Sequence, residues 1–384
     1  MANLKVNTIS GIGTEGPVLN GGLHFRSKNY LTLPKGTTAE RTATSSGIST
    51  VIGAIRYNTD SNKMECYVNN KWMIVSTSSP NLAQSGENAV GARAIIHMGY
   101  GPANKNTINA LNLSTGGTAI DFGNSTVTAR QQSSLASRIR ALRAGGYSGS
   151  GSPGYEDVID FVTISSTGDA TDFGNLTQGR GHPAGLASAT RGVFAGGYSG
   201  GPATKYNIID FITIATTGNA LDFGDLTATK SGVGTGAASP VRGIFFGGYT
   251  PTQVNTIDFI TIATEGNARD FGDCTTTVRT GNGASNATRG LYMSGNRSPA
   301  SSTNVIEFVT IATTGDAIDF GDLVAASDMA ASAASPTRAI HHRGLETATI
   351  DSVNIATTGD AVDFGDTSES AAQTSGCSNA HGGL

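Results

Sequence analysis

The chain is poor in charge, cysteine and tryptophan. Asp, Glu, Lys and Arg together make up 14% of its 384 residues, the formal net charge is -4, and there is one tryptophan. Because no basic block is present, the composition argues against a nucleic-acid partner and against binding to an anionic membrane surface. The three cysteines, Cys66, Cys274 and Cys377, are odd in number and far apart. They suit synthesis in a reducing cytoplasm better than a disulfide scaffold.

Long apolar runs are also missing. No window of eighteen apolar residues exists, and residues 1–7 lack the apolar stretch of a signal peptide. The sequence therefore predicts that the chain does not insert into a membrane and carries no recognisable secretion signal. Glycine, in contrast, is abundant, with 52 residues. A glycine-rich chain that is still 38% hydrophobic contains many turns and can nevertheless build a core, which excludes a disordered protein.

A segment with an Asp-Phe-Gly core recurs along the rest of the chain. Its six aspartates are Asp121, Asp172, Asp222, Asp270, Asp319 and Asp363. The steps between them are 51, 50, 48, 49 and 44 residues. A period close to fifty residues is the signature of a repeat architecture, in which each copy is one supersecondary unit.

Each copy divides into four strand-like segments joined by turns. In the third copy they are residues 184–188, 191–198, 208–215 and 221–226. Both faces of the third segment are largely apolar, which predicts a sheet packed between two other sheets. Gly218, between the third and fourth segments, suits a hairpin turn with positive φ. The repeat therefore predicts four-stranded antiparallel sheets.

The two ends of the repeat region complement each other. The first copy opens at Arg93, directly at its second segment, with no first segment before it. Residues 376–380, Gly-Cys-Ser-Asn-Ala, match the first segment of the fifth copy, Gly-Ala-Ser-Asn-Ala at 283–287. We therefore expect residues 376–380 to supply the missing first strand of the first copy.

The second segment carries a recognisable motif. Arg-Gly-x-Phe-x-Gly-Gly-Tyr at residues 191–198, followed by an apolar strand and repeated about every fifty residues, resembles the kelch-type β-propeller repeat. The resemblance covers residues 90–384, and the Phe of Asp-Phe-Gly takes the place of the family's Trp. Together with the six copies and the strand supplied by residues 376–380, the resemblance predicts an all-β fold with a six-bladed kelch-like β-propeller, which follows a small N-terminal β-rich attachment region.

Residues 1–80 lack the repeat. A hairpin signal lies at residues 18–25, and a strand-like run at residues 30–33. A three-stranded meander is predicted over residues 55–57, 64–68 and 72–75. Residues 76–89 are rich in Ser and Asn, as linkers are. We expect an N-terminal region at 1–80, a linker at 81–89 and the repeat domain at 90–384.

Short N-terminal motifs carry a second resemblance. Leu-Lys-Val-Asn-Thr-Ile-Ser at residues 4–10, Gly-Ala-Ile-Arg-Tyr-Asn-Thr-Asp at 53–60, and Lys71-Trp72 resemble the N-terminal region of tailed-bacteriophage structural proteins, particularly appendage proteins of marine cyanophages. The resemblance implies a non-enzymatic virion protein, a tail fibre or similar appendage, made in the host cytoplasm. Residues 1–80 would join other virion proteins or sister chains. The propeller would recognise a host-surface glycan or protein.

Two other functions stay open at the level of sequence. One is a capsid or tail decoration protein without a receptor role. The other is a carbohydrate-active depolymerase, but an enzyme should break the repeat with singular acidic or histidine residues, and none stand out. We therefore expect no catalytic residues, no metal and no cofactor.

The repeated polar residues favour structural roles. Arginines begin the second segment of each copy at Arg93, Arg140, Arg191, Arg242, Arg289 and Arg338, and we expect them to pair with aspartates of Asp-Phe-Gly. Third-segment carboxylates recur at Asp160, Asp210, Asp258, Glu307 and Asp351, with Asn109 in the first copy. One carboxylate per copy provides neither a calcium loop nor a singular glycosidase pair. For His341, His342 and His97, packing and hydrogen bonding are favoured over metal binding.

Variation between copies indicates where binding takes place. The loops after the second and fourth segments vary in length and content, and strand alternation brings both sets to one face. The candidate binding residues on or beside this face are Tyr147, Tyr155, Tyr198, Tyr206 and Tyr249. The alternative is that the tyrosines of Gly-Gly-Tyr only cap the edges of the sheets.

Overall fold

The chain folds almost entirely into β-strands. The computed structural model describes residues 33–42, 54–61, 63–68, 71–74, 92–149, 154–200, 204–234, 236–299 and 301–384. Within these ranges the one helix is a 3-10 turn at Ala39–Thr42. None of the described helical structure has the length and apolarity needed to cross a membrane. The chain divides into two compact units, Met1–Ser79 and Pro80–Leu384.

The described residues of the first unit form one small sheet. Its strands, in spatial order, are β1 (Lys35–Gly36), β2 (Ile55–Asn58), β3 (Lys63–Val68) and β4 (Lys71–Ile74). β1 is parallel to β2, whereas β2, β3 and β4 form an antiparallel meander. The predicted meander is confirmed. The hairpin expected at residues 18–25 and the linker lie outside the described residues, as does the strand expected at 30–33 except for Leu33, which is not in a strand.

The second unit contains six antiparallel sheets, numbered here along the chain. Sheet 1 includes β5 (Arg93–His97), β6 (Lys105–Asn112) and β7 (Ile120–Ala129). Sheet 2 contains β8 (Ser133–Ala136), β9 (Arg140–Ala144), β10 (Val158–Thr163) and β11 (Thr171–Asn175). Sheet 3 contains β12 (Ala184–Ala187), β13 (Arg191–Ala195), β15 (Thr204–Thr213) and β16 (Leu221–Lys230), with the short β14 (Tyr198–Ser199) beside β15.

The last three sheets repeat this plan. Sheet 4 contains β17 (Ala237–Ala238), β18 (Arg242–Phe246), β20 (Thr252–Thr261) and β21 (Arg269–Arg279), with the short β19 (Tyr249–Thr250) beside β20. Sheet 5 contains β22 (Asn282–Ser285), β23 (Arg289–Met293), β25 (Thr303–Thr310) and β26 (Ile318–Ser327), and the short β24 (Asn296–Arg297) pairs with β21 of sheet 4. Sheet 6 contains β27 (Ala331–Ala334), β28 (Arg338–His342), β29 (Thr347–Asn354) and β30 (Val362–Ala371).

The last strand of the chain returns to the first sheet. β31 (Ser375–Ser378) pairs antiparallel with β5, with Gly376 opposite Ile96. The side chain of Asn379 accepts a hydrogen bond from the Arg93 amide at 2.8 Å. The prediction that residues 376–380 complete the first copy is confirmed. The residues that follow reach other sheets: His381 Nε2 lies 2.7 Å from the Ala136 carbonyl, and the Gly382 amide donates to the Ser285 carbonyl at 2.9 Å.

The apolar core lies between neighbouring sheets. Phe211 and Phe223 of sheet 3 meet edge to face at 5.9 Å, and they share one buried cluster with Phe245 and Ile260 of sheet 4. Comparable clusters join the other sheets. This arrangement explains why the third strand is apolar on both faces, since each sheet packs against two others.

The glycine of Asp-Phe-Gly allows main chains of neighbouring sheets to touch. Gly174 has φ of 145°, and a Cβ added there would lie 2.4 Å from the Gly218 carbonyl oxygen of sheet 3. The Gly218 amide in turn donates to the Phe173 carbonyl at 2.8 Å. The same bond recurs at every junction, including Gly117 to Phe364, which joins sheet 1 to sheet 6. The repeated triplet is therefore a sheet-to-sheet contact.

Replacing Gly174 with alanine should destabilise the protein strongly. The added Cβ would clash with main chain that cannot move aside, so we expect a loss of roughly 2–4 kcal/mol in the free energy of unfolding. Chemical denaturation of the purified chain measures this loss.

Gly218→Ala is the matched control. Gly218 also has positive φ, at 158°, but nothing lies within 4 Å of its added Cβ. Its cost should be conformational only, roughly 1 kcal/mol. Equal losses in the two variants would contradict the steric role assigned to the triplet glycine.

Candidate functional site

The Gly-Gly-Tyr motif performs two tasks. Gly196 and Gly197 take left-handed φ values of 63° and 105°, which turn the chain at the end of β13. The main chain of Tyr198 then exchanges hydrogen bonds with Gly181 of the preceding copy, at 2.9 and 3.0 Å. The main chain therefore joins two sheets, as the edge-capping alternative requires. The side chain is left to make contacts of its own.

Three of the candidate tyrosines form one aromatic row. The rings of Tyr147 and Tyr155 lie 5.0 Å apart, and those of Tyr155 and Tyr198 lie 5.4 Å apart. His182 stacks on Tyr198 at 5.9 Å with an interplanar angle of 20°. The Tyr198 hydroxyl donates to Gln131 Oε1 at 2.9 Å. Burial, together with the neighbouring Tyr155, raises the pKa of Tyr198 to about 12, so this hydroxyl remains a donor at neutral pH.

This row borders a cavity of about 300 Å³. The cavity lies on the face that carries the loops after the second and fourth strands, called here the loop face. The cavity is lined by Gln131, Tyr155, His182, Tyr198, Lys205, Ser231, Gly232, Tyr249, Arg279, Thr280 and Met329. These residues come from loops and strand ends of several sheets, so the site exists only because the sheets are neighbours. Cavities of this volume lie at the lower end of the range for small-molecule sites.

Of the five candidate tyrosines, Tyr206 is the one that lies apart from the cavity. Tyr155, Tyr198 and Tyr249 line the cavity, and Tyr147 contacts Tyr155. Tyr206 does not line it. The Tyr206 hydroxyl lies 2.5 Å from Ser199 Oγ and accepts from Gln178 Nε2 at 2.6 Å, so it fixes a loop of its own sheet and the preceding one.

Three basic side chains surround the aromatic rings. Lys205 Nζ lies 4.9 Å from the centroid of the Tyr249 ring, and the Arg279 guanidinium carbon lies 5.1 Å from it. The Arg130 guanidinium carbon lies 5.3 Å from the Tyr147 ring. Each distance is within cation–π range. The sequence did not single out these cations, because their relation to the tyrosines depends on which copies are neighbours.

One set of equivalent positions with unusual main-chain geometry was not predicted from the sequence. The tenth residue after each repeat aspartate has left-handed φ in all six copies: Gln131 (61°), His182 (50°), Gly232 (59°), Thr280 (57°), Met329 (51°) and Gln373 (54°). Five of these six residues surround a second, small cavity of about 30 Å³. A side chain with left-handed φ is uncommon outside glycine. The constant spacing from the aspartate, combined with the change of residue in every copy, was the signal that could have found this ring.

His182 is a neutral aromatic member of the site. Burial and the nearby Arg279 and Arg130 lower its pKa to about 4, because each of them disfavours the imidazolium form. At neutral pH the charge of the cavity lining therefore comes from Lys205 and Arg279.

The arginines that open the second strands have partners other than those predicted. Arg140 Nη1 donates to the Ile214 carbonyl of sheet 3 at 2.9 Å, and its guanidinium carbon lies 4.4 Å from the Phe161 ring. The aspartates of Asp-Phe-Gly are exposed instead. The predicted pairing was wrong because it considered partners within one sheet, whereas the arginine reaches the next. An equivalent bond is present in all six copies, and the bond from Arg338 to the Leu113 carbonyl joins sheet 6 to sheet 1.

The third-strand carboxylates are structural, as expected. Asp210 is fully buried, accepts from Thr177 Oγ1 of sheet 2 at 2.6 Å, and pairs with Arg180 Nη1 at 3.0 Å. The four other pairs are Arg143–Asp160, Lys230–Asp258, Arg297–Glu307 and Arg343–Asp351. Asn109, the uncharged member of the set, accepts from the Ser368 amide at 2.8 Å.

Two of the three candidate metal-binding histidines, His341 and His342, are satisfied by hydrogen bonds. The two ring nitrogens of His341 lie 2.7 Å from Ser327 Oγ and 2.9 Å from Ser332 Oγ. His342 contacts Thr374 Oγ1 and the Thr347 carbonyl at 3.1 and 3.0 Å. The favoured interpretation for this pair is confirmed. Throughout the described ranges, no three His, Cys, Asp or Glu side chains come together as a metal site.

Comparisons with known proteins add no family. The sequence matches no protein-family model, and the comparison with curated proteins finds no significant match. The site must therefore be interpreted from its own geometry, that of an aromatic cavity with two basic side chains in its lining.

Removing the cation from a third-strand pair should destabilise the fold. Arg180→Met leaves the buried Asp210 carboxylate without its counterion, and we expect a loss of about 3–5 kcal/mol in the free energy of unfolding. The double variant Arg180→Met with Asp210→Asn should recover most of this loss, because it reproduces the uncharged arrangement of Asn109. Chemical denaturation of both variants tests this expectation.

Glu265→Gln provides the control for a salt bridge near the surface. Glu265 is more than half exposed and pairs with Arg191 at 3.4 Å, so its loss should change stability by less than about 1 kcal/mol. If Arg180→Met with Asp210→Asn is as unstable as Arg180→Met alone, the instability does not come from an unpaired buried charge, and the role assigned to Arg180 is contradicted.

Acid should destabilise the repeat domain through its buried histidines. Burial lowers the pKa of His97 to about 4, of His342 to about 4 and of His341 to about 3. Between pH 6.5 and 4 the unfolded chain binds protons at these positions and the folded chain does not, so stability falls as the pH falls through this window. In His97→Gln the melting temperature should therefore decrease less between pH 7 and pH 5 than in the parent.

Ser125→Ala serves as the control for this variant. Ser125 Oγ lies 3.2 Å from His97 Nδ1, so removing the hydroxyl weakens the contact and keeps the titrating ring. This variant should lower the melting temperature while leaving most of its pH dependence. An unchanged pH dependence in His97→Gln would contradict the role of His97.

Proposed function

We propose that residues 92–384 form a six-bladed β-propeller with a kelch-like repeat, in which sheets 1 to 6 are the blades. Closure by β31 supports this architecture, because the last strand of the chain joins the first blade. The Arg-Gly-x-Phe-x-Gly-Gly-Tyr motif supports the kelch-like assignment, although Phe replaces the family's Trp.

The first strands of the sheets supply further support. β8 contacts β31 on one side and β12 on the other, and β12 contacts β17. β17 contacts β22, β22 contacts β27, and β27 contacts β31. Each first strand therefore touches two others in an unbroken cycle. Such a cycle is what the innermost strands of radially arranged blades produce.

We further propose that the protein is a non-enzymatic binding protein of a phage virion, a tail fibre or similar appendage. In this proposal the N-terminal region attaches the chain to other virion proteins, and the propeller presents its loop face to a host-surface glycan or protein. The assignment to a virion rests on the N-terminal resemblance to appendage proteins of tailed phages.

One observation carries the binding role: aromatic and basic side chains from several copies converge on the cavity of the loop face. Main-chain bonds between sheets hold the loops that carry these side chains, such as the bonds between Tyr249 and Ser231. Variable loops on a rigid scaffold are the usual position of binding residues. Tyrosine suits such a site because its ring is apolar and its hydroxyl is polar.

A cell-binding assay tests this function. The fluorescently labelled full chain should bind intact marine cyanobacterial cells, or polysaccharide extracted from their surface, from a panel of strains. Tyr155→Ala and Tyr249→Ala should each weaken binding by at least about tenfold, as expected for aromatic anchors of an interface.

Val241→Ala is the matched control, since Val241 is 63% exposed in the turn between the first two strands of sheet 4 and lies outside the cavity lining. Its binding should equal that of the parent. Equal weakening in all three variants, or no binding to any strain, would contradict a receptor-binding face. Loss of polysaccharide viscosity on adding the protein would show an enzyme instead.

A further inference from the structure

The basic residues at the cavity differ from those in the interior. Most interior cations pair with a buried carboxylate, as Arg180 does with Asp210, whereas the buried Arg93 donates to the Ile164 carbonyl. Lys205, Arg279 and Arg130 take part in no salt bridge with any described residue. Lys205 and Arg279 line one cavity, and Arg130 lies beside the Tyr147 ring at its edge, so three cations without a salt bridge lie close together.

The cavity lining contains no acidic side chain. Between Ala92 and the C-terminus, the residues that the structure leaves undescribed are Ser150, Gly151, Ser152, Pro153, Gly201, Pro202, Ala203, Thr235 and Ala300, and none is charged. Asp328 is near Arg279, but it is buried, and its carboxylate accepts from Thr280 Oγ1 and the Met329 amide at 2.5 and 2.8 Å. The side chains that face the cavity therefore give it positive charge.

The same residues define the shape of a ligand. Lys205 and Arg279 both lie near the Tyr249 ring, so a group that contacts the ring is also within reach of two cations. Tyr155, Tyr198 and the neutral His182 extend the aromatic wall. A ring that has an apolar face and an acidic substituent matches this arrangement, because the apolar face can pack on tyrosine while the acid group meets the basic side chains.

We propose that the cavity binds an acidic sugar unit, a saccharide ring that bears a carboxylate or a sulfate. Lys205 and Arg279 contact the acid group, and the tyrosines pack against the sugar ring. Arg130 adds positive charge at the edge of the site. This inference rests on the proposed function, in which the loop face binds a surface glycan or protein, and it specifies the chemistry that the face recognises.

Calorimetric titration of the full chain with defined saccharides tests the proposal. The probes are tri-galacturonic acid, galactose 6-sulfate and the neutral galactotriose, with sodium sulfate as the free anion. We expect at least one acidic probe to bind about tenfold or more tightly than galactotriose and sodium sulfate. Binding should weaken as sodium chloride is raised from 50 to 500 mM, because salt screens exposed charges.

Charge-neutralising variants locate the site. Lys205→Gln and Arg279→Gln should each weaken binding of the acidic probe by about tenfold, the loss expected when a charged hydrogen bond is removed. Arg269→Gln is the matched control, because Arg269 is exposed at the start of β21 and is not part of the cavity lining. This control should bind like the parent.

The other outcomes show whether acid-sugar recognition alone fails or whether the receptor-binding function fails with it. Equal binding of galactotriose and the acidic probes, unchanged in Lys205→Gln, would overturn acid recognition while leaving a glycan-binding face. Sodium sulfate binding as tightly as the saccharides would overturn the sugar as ligand. If no probe binds, but cells bind the parent and not Tyr155→Ala, acid-sugar recognition falls and the receptor-binding function stands. If neither probes nor cells bind, both fall.

Discussion

The buried acceptor in the middle of each third strand is the constraint on which the repeat domain depends. Asp210 accepts hydrogen bonds from the amide and hydroxyl of Thr177 in the preceding sheet, so one side chain links two sheets inside an apolar core. The acceptor recurs in every copy, and Asn109 closes the cycle by accepting from Ser368 of sheet 6. A buried carboxylate requires a counterion. The counterion comes from three places. Arg143 lies in the second strand of its own sheet, and Arg180 and Lys230 lie in or just after the fourth strand of the preceding sheet. Arg297 and Arg343 follow the second strand of their own sheets. The position of the carboxylate is fixed because it joins two sheets, whereas the cation can come from different strands or loops as long as its charged group contacts the carboxylate.

This division explains how the loop face can vary without loss of the fold. The bonds that join the sheets use main-chain atoms, as in the bond from Gly218 to Phe173, together with the buried acceptors and the arginines that begin the second strands. Even the Gly-Gly-Tyr turn is held through the main chain of Tyr198. The main chain, and not the tyrosine ring, makes this bond between sheets, so the residue at the position of Tyr198 can change while the bond is kept.

The sequence predicted the features that depend on order along the chain. The fifty-residue period, the strand alternation and the match between residues 376–380 and 283–287 were sufficient for the sheets and for pairing of the last strand with β5. Contacts between side chains of neighbouring sheets were not predicted, because they depend on how one sheet is positioned against the next. Arg140 was expected to meet an aspartate of its own sheet and instead reaches the Ile214 carbonyl of the next. For the same reason the tyrosines could be placed on one face, but Tyr206 could not be distinguished from Tyr198, nor could Lys205 be connected with Tyr249.

A symmetric frame produces an asymmetric site through substitutions at equivalent positions. The residue that ends the Gly-Gly-Tyr motif is Tyr100, Tyr147, Tyr198 and Tyr249 in the first four copies, and Asn296 and Leu345 in the last two. The tenth residue after each repeat aspartate changes in the same way, from the amide of Gln131 to the imidazole of His182 to the bare Gly232. Gly232 lines the cavity together with Tyr198 and Tyr249. A Cβ added at Gly232 would lie 3.1 Å from the Thr280 side chain and 3.8 Å from Cβ of Arg279, two other lining residues, so a larger side chain at this one position would change the cavity while the frame stays the same.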